Sequence, residues 1–195
     1  KGFTILIEIL QAIDESGLME KIDVIYVTLL GSPTERKIAS ATLSAWSDKV
    51  HVIYESSKTN DYEYRTVSLM ENFTRRLSDG SLVLYLHTKG ASRYNRYEDD
   101  DQESNGDQWR KYMMHFVVER WQICWRAVKE LGYKTCGVQL EKRDDPHYSG
   151  NFWWSKAQFL KSKVQKMKDA EWNVEYRSST EFYLLKGTHT NSNYD

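Results

Sequence analysis

The stretch Ser81-Leu82-Val83-Leu84-Tyr85-Leu86-His87-Thr88-Lys89-Gly90 joins a continuous apolar run to a polar segment that ends in glycine. Apolar runs that do not alternate with polar residues are typical of strands buried on both faces of a parallel sheet. Residues 22–30 and 50–54 are similar runs before it, and residues 135–140 form another after it. Helical patterns separate these runs, so the sequence predicts an α/β domain with a mainly parallel sheet flanked by helices.

Helices are expected over residues 34–44, 66–77, 108–131 and 156–168, with a short one over 178–186. Residues 3–13 are predicted to form a helix that ends at Gly17, although β-branched residues at the start of this segment also fit a strand over 3–7. An α/β domain normally begins with a strand, so a first strand is expected to precede residue 1. Residues 188–195 are expected to fray.

The composition limits both the domain count and the partners of the chain. Its 195 residues fit one domain over 1–195, which a longer multidomain chain could also contain. A net charge of −1 argues against a sequence-independent nucleic-acid binder, and no apolar run is long enough to span a membrane. The two cysteines, Cys124 and Cys136, cannot form a disulfide framework, and a zinc site would need further ligands. Without a signal-peptide pattern, the protein is expected to be cytoplasmic.

The end of the strand at 81–86 is the first candidate binding site, because ligands of open α/β sheets bind beyond the carboxyl ends of the strands. His87, Lys89, Arg93 and Arg96 follow this strand closely, and Gly90 allows close approach of the backbone. Lysine and arginine donate charge-assisted hydrogen bonds to phosphate oxygens, so the cluster suits a phosphate or diphosphate. A solvated loop with scattered charges is an equal alternative at this stage.

Two further segments carry candidate ligand-binding residues. Asp99 and Asp101 have a spacing that suits Mn²⁺ or Mg²⁺, although a short acidic run is more often solvated surface. Rings, an imidazole and an amide concentrate in residues 146–154, a mixture that suits a sugar, and its candidate sugar-binding residues are His147, Tyr148, Asn151, Trp153 and Trp154. The alternative is a buried strand in which Phe152 and Trp154 point one way and Trp153 the other.

Three motifs together resemble one known family. They are residues 84–92, the pair Trp109-Arg110 at the start of a helix, and the run His147-Tyr148-Ser149-Gly150-Asn151-Phe152-Trp153-Trp154. In this order they resemble small glycosyltransferase-like domains found in bacteria and in large DNA viruses of algae and protists, such as chlorella viruses. The resemblance covers about residues 10–185 and implies a Rossmann-like, single-domain "A" architecture (GT-A).

The resemblance also implies an activity and roles for particular residues. The activity is transfer of a hexose or pentose from a nucleotide diphospho-sugar, UDP-linked, to a hydroxyl of a glycan or glycoprotein. His87, Thr88, Lys89 and Gly90 would hold the diphosphate, and Arg93 would assist the leaving group. Glu181 is the first candidate for the base of an inverting transfer, with Asp144 and Asp145 behind it.

Two alternatives stay open. His87-Thr88-Lys89 stands where the family architecture has an Asp-x-Asp metal motif, so a lysine could replace part of the charge of a divalent metal. The other class of function is a carbohydrate- or nucleotide-binding module that kept the fold and lost the chemistry. For a protein from a virus, the predicted location is the cytoplasm of the host cell.

Overall fold

A computed structural model describes residues 1–91, 105–142, 146–167 and 180–185. The α-helices in these parts are α1 (Gly2–Glu15), α2 (Pro33–Trp46), α3 (Tyr64–Thr74), α4 (Asn105–Met114), α5 (Trp121–Lys129) and α6 (Ala157–Met167), with a π-helix over His115–Glu119 and short 3₁₀ helices over Leu18–Glu20 and Thr59–Asp61. The strands are β1 (Ile25–Leu30), β2 (Val50–Ser56), β3 (Leu82–Tyr85), β4 (Thr135–Gly137), β5 (Leu140–Glu141), β6 (His147–Tyr148) and β7 (Trp153–Lys156). Residues 180–185, the described part of the short helix predicted near the end, form turns.

The predicted mainly parallel, Rossmann-like sheet is wrong. In the described residues only β1 and β2 pair in parallel, whereas β3, β7 and β4 form an antiparallel sheet in that order, and β5 pairs antiparallel with β6. Parallel neighbours need a long crossover, usually a helix. The described residues between β4 and β7 contain no helix, so the chain turns back and β7 lies antiparallel between β3 and β4.

The local signals at the N-terminal elements are confirmed. Residues 3–13 lie in α1, and Gly17 beyond its end has the left-handed φ of 70° that favours glycine. Helix α2 begins with a capping box: Ser32 Oγ accepts from the amide of Glu35 at 3.3 Å, and the Glu35 carboxylate accepts from the amide of Ser32 at 2.8 Å. Pro33 follows at the first helical position, where its missing N–H costs no hydrogen bond.

The helix predicted over 108–131 is divided by the π-helix. The indole N–H of Trp154 donates to the carbonyl of Val117 at 2.8 Å, and this inserted donor competes with the regular backbone ladder. The extra residue in the turn lets Val117 and Val118 both lie in the core, ahead of Trp121. Helix α5 then ends before Gly132, whose φ is 83°.

The segment at 147–154 is mostly core. Phe152 and Trp154 pack in one cluster with α1, the π-helix and α5, whereas Trp153 packs in another with Tyr85 and Tyr148. The prediction that Phe152 and Trp154 point one way and Trp153 the other is therefore confirmed. A third cluster joins β1 and β2 to α1 and α2.

Cys124 and Cys136 form a single disulfide that ties α5 to β4, with their Cα atoms 5.3 Å apart. The sequence excluded a framework of several disulfides and did not predict this bond. Disulfides persist in oxidising environments and are rare in the cytosol, so this bond disagrees with the predicted cytoplasmic location. Among the described helices, none combines the length and apolarity that crossing a membrane requires.

Replacing both cysteines by alanine is expected to destabilise the protein. Closing a loop between residues 12 apart removes unfolded-state entropy; the chain-entropy relation then gives about 3 kcal/mol, or a fall in Tm of roughly 6–12 °C for a chain of this size. Circular dichroism of thermal unfolding measures it. A phosphine reductant should lower the Tm of the natural chain to that of the double variant and leave the variant unchanged. Equal Tm values for the two oxidised proteins would contradict the prediction.

Candidate functional site

A cavity of about 1510 Å³ lies between the β1–β2 pair and the antiparallel sheet. Tyr26 and Thr28 of β1 and Tyr85 of β3 contribute to its walls. Beyond the carboxyl end of β3 the cavity is lined by residues 87–91 and by Glu181. Pockets for small molecules usually enclose about 300–1,000 Å³, so this one has room for more than one small ligand.

The loop at residues 87–91 is held in place by the buried guanidinium of Arg110, which is only 4% exposed. One of its terminal nitrogens, Nη1, donates to the carbonyl of Lys89 at 3.1 Å, and the other, Nη2, bonds Glu8 of α1 at 2.7 Å. Gly90 has a φ of 92°, which only glycine adopts without strain. The loop is therefore fixed to α1 and α4, and its shape depends on glycine.

The carboxylate of Glu63 joins three parts of the chain at the end of β3. Its Oε1 lies 3.3 Å from Nδ1 of His87, and its Oε2 accepts from Nδ2 of Asn151 at 2.8 Å and from the hydroxyl of Tyr85 at 3.3 Å. The side chains of Glu63 and His87 are each 16% exposed. Hydrogen bonds of this kind to a charged acceptor in a poorly hydrated place are stronger than neutral ones.

Asn151 supports this network from inside the protein. Its φ of 61° is left-handed, and it is 1% exposed. Its Oδ1 accepts from the indole N–H of Trp153 at 2.8 Å, and because an indole can only donate, Nδ2 must face Glu63. Nδ2 also lies 3.3 Å from the carbonyl of Thr180. The amide predicted to bind sugar is thus engaged within the protein.

The imidazole of His87 is engaged on both sides. Nε2 lies 3.0 Å from the carbonyl of Gly150, and Nδ1 faces Glu63. Burial lowers the pKa of His87 below its ordinary value, while Glu63 and the Gly150 carbonyl act in the opposite direction. In this arrangement the ring links β3 to the turn at Gly150 and presents neither nitrogen to a diphosphate.

Tyr85 keeps its proton at ordinary pH. Burial, with the negative charge of Glu63 next in size, raises the pKa of Tyr85 well above its ordinary value. The hydroxyl therefore remains a donor to the Glu63 carboxylate.

Lys89 and Glu181 form an ion pair on the cavity wall, with Nζ and Oε1 3.3 Å apart. The two side chains are 22% and 28% exposed, so solvent reaches both. Thr88 and Gly90 line the same cavity. The structure thus brings together the lysine predicted to hold a diphosphate and the carboxylate predicted to act as a base.

The rings predicted as a sugar platform lie in the interior. Tyr148, Trp153 and Trp154 are buried, and the Tyr148 hydroxyl lies 3.0 Å from Oγ1 of Thr135. A buried ring offers no face on which a sugar could stack. His147 is partly exposed, with its ring against the edge of Phe182 at 4.7 Å between centroids.

Several predicted site residues lie outside the described residues, and the structure says nothing of them: Arg93, Arg96, Asp99, Asp101, Asp144 and Asp145. Within the four described ranges, no group of three or more His, Cys, Asp or Glu side chains could hold a metal ion. The metal site remains a prediction.

Sequence reasoning missed Glu63, Tyr85 and Arg110 as site residues. A signal existed for Tyr85, because a tyrosine in an apolar strand must find a partner for its hydroxyl when buried. Arg110 belongs to the Trp109-Arg110 motif of the resemblance, which gave it no role, and Glu63 carried no signal because an isolated charged residue before a helix is usually solvated.

A family model for a domain of unknown function, DUF8361, matches residues 2–193. No curated protein and no solved structure shows detectable similarity to the chain.

Proposed function

We propose that this chain, which belongs to DUF8361, a family of domains of unknown function, is a glycosyltransferase that takes its sugar from a UDP-linked donor. The acceptor would be a hydroxyl of a glycan. The Lys89–Glu181 pair on the wall of the 1510 Å³ cavity carries the proposal, because it places a cation and a carboxylate within 3.3 Å of each other.

The two charges suit opposite ends of one displacement once they separate, because an inverting transfer places the base and the leaving group on opposite faces of the anomeric carbon. Lys89 then turns from Glu181 to the diphosphate. The acceptor oxygen attacks the anomeric carbon while Glu181 takes the hydroxyl proton. The bond from that carbon to the diphosphate oxygen breaks, and its electron pair leaves with the nucleoside diphosphate. Lys89 neutralises the charge that develops on the leaving group, as a point charge well suited to phosphate.

The fixed loop supports this division of roles. Arg110 and Gly90 hold the backbone at Lys89 in one shape, and Thr88 adds a hydroxyl on the same wall. Because the backbone is fixed beforehand, reorganisation is limited to the Lys89 side chain, which exchanges Glu181 for the diphosphate. Lys89 would supply part of the positive charge that a divalent metal supplies in glycosyltransferases with an Asp-x-Asp motif.

Lys89→Met should weaken binding of UDP by roughly 10–100-fold, because a charge-assisted hydrogen bond contributes about 1.5–3 kcal/mol. Titration calorimetry with UDP, with and without Mn²⁺, measures the change. Lys37→Met removes an exposed lysine from α2 and is the matched control. Failure of the natural chain to bind UDP would overturn the proposed donor, and equal affinity in Lys89→Met would remove Lys89 from the site.

A binding module without catalysis is the competing function. It is favoured by His87-Thr88-Lys89, which stands where the architecture of the resembled family has an Asp-x-Asp metal motif. Tight binding of UDP with neither hydrolysis of a UDP-sugar nor transfer to any acceptor would establish the module instead of the enzyme.

A further inference from the structure

Three rings follow one another along α4 and the π-helix, and we refer to Trp109, Tyr112 and Phe116 as the aromatic row. Trp109 stacks on Tyr112 with centroids 5.3 Å apart and planes at 19°, and Tyr112 meets Phe116 edge-on at 5.1 Å. Residues three, four and seven apart share one side of a helix. Tyr112 and Phe116 are 49% and 37% exposed, so the outer part of the row faces solvent.

The aromatic row begins at the candidate site. Trp109 lines the cavity and lies against the turn that His87 holds, since a Cβ built on Gly150 would come within 2.7 Å of the Trp109 indole nitrogen. From there the rings continue along the surface of α4. Trp109 is thus shared by the cavity wall and the aromatic row.

We infer that the aromatic row binds the acceptor as an oligosaccharide chain of several sugars, an inference that rests on the proposed function. The axial C–H groups of a pyranose form an apolar face, and aromatic rings bury such a face with little loss of side-chain entropy. Tyr148, Trp153 and Trp154 are buried, whereas Tyr112 and Phe116 expose aromatic side chains to solvent.

The surroundings of the row favour a glycan over a protein partner. His115 and Glu119 flank Phe116 and pair at 2.8 Å, with side chains 45% and 52% exposed. The centre of a protein–protein interface is depleted in charged residues. Rings bordered by polar groups are instead the arrangement that binds a sugar, with rings for its apolar face and polar groups for its hydroxyls.

The test is a printed array of neutral and acidic oligosaccharides of two to six sugars. The natural chain should bind a subset, with the longer members of each series bound best. Tyr112→Ala/Phe116→Ala should weaken that binding by at least about 10-fold, as expected for aromatic residues at the centre of a contact. Ile123→Ala/Leu131→Ala, at two other exposed apolar residues, should leave it unchanged.

Each other outcome is decisive. Absence of binding to every member of the array, or equal binding by the two double variants, overturns the inference. So does sedimentation showing a dimer of the natural chain that Tyr112→Ala/Phe116→Ala dissolves, because the row would then be a protein interface. UDP titration of the same samples separates the proposals: oligosaccharide binding through the row without UDP binding would remove the proposed donor and leave the row as a glycan site.

Discussion

Glu181→Gln is expected to lower the rate of sugar transfer by about 10²–10⁴-fold, the usual contribution of a general base. The amide keeps the shape of the side chain and loses the ability to take a proton. In the free protein the carboxylate is paired with Lys89, so it can act as a base only when the lysine has another anion to bind. Under the proposed function, that anion is the diphosphate of the donor.

This competition gives the variant a second expected result. Glutamine leaves Lys89 without its anionic partner, so UDP should bind Glu181→Gln as tightly as the natural chain or more tightly. Damage to the fold would weaken binding and transfer together, whereas loss of the base separates them. Rates of transfer and calorimetric affinities for UDP give both quantities.

Glu130→Gln is the control, because Glu130 lies in an exposed pair with Arg126 at 3.5 Å, after the end of α5. Exposed pairs contribute at most about 1 kcal/mol, so this variant should transfer sugar normally. If Glu181→Gln retains transfer within a factor of two, Glu181 is not the base.

Local signals in the sequence predicted those helices and strands that are specified by residues close together along the chain. Ser32, Pro33 and Glu35 specify the start of α2, and an apolar run specifies β3, because these patterns act within a few residues of chain. Whether a strand runs parallel or antiparallel depends on which strands it pairs with in the sheet and on the length of the connection between them. The absence of a helical pattern between residues 140 and 153 was the available sign that β7 would return antiparallel.

The candidate site was predicted in part. Lys89 and Glu181 were both chosen from the sequence, and the structure places them 3.3 Å apart although they are far separated along the chain. Glu63 was not chosen, since its role depends on contacts with His87 and Asn151 that no local pattern reveals. Trp153 and Trp154 were chosen as sugar-binding residues but are buried, because a cluster of aromatic residues that suits sugar binding suits a hydrophobic core equally well.

Glu63→Ala is expected to destabilise the protein by about 2–4 kcal/mol, because a buried polar group left without its partner costs about 1–3 kcal/mol. The hydroxyl of Tyr85 and the imidazole of His87 lose the carboxylate that they face, and Nδ2 of Asn151 keeps only the Thr180 carbonyl as an acceptor. Urea denaturation measures the loss. Glu130→Ala removes an exposed carboxylate and should cost under about 1 kcal/mol.

Glu63→Gln separates charge from packing, because it keeps the volume and removes the negative charge. That charge raises the pKa of His87 against the effect of burial, so the pKa should fall further below its ordinary value in the variant. A depressed histidine pKa means that the unfolded chain binds more protons than the folded one, so stability is complete above about pH 6.5 and is lost as the pH falls below it. Loss of the charge should widen this acid-side decline, which urea denaturation between pH 5 and 8 and an NMR titration of His87 would record together. An unchanged His87 titration, with Glu63→Ala no less stable than Glu130→Ala, would show that the Glu63 carboxylate does not hold the end of β3 to the turn at Gly150.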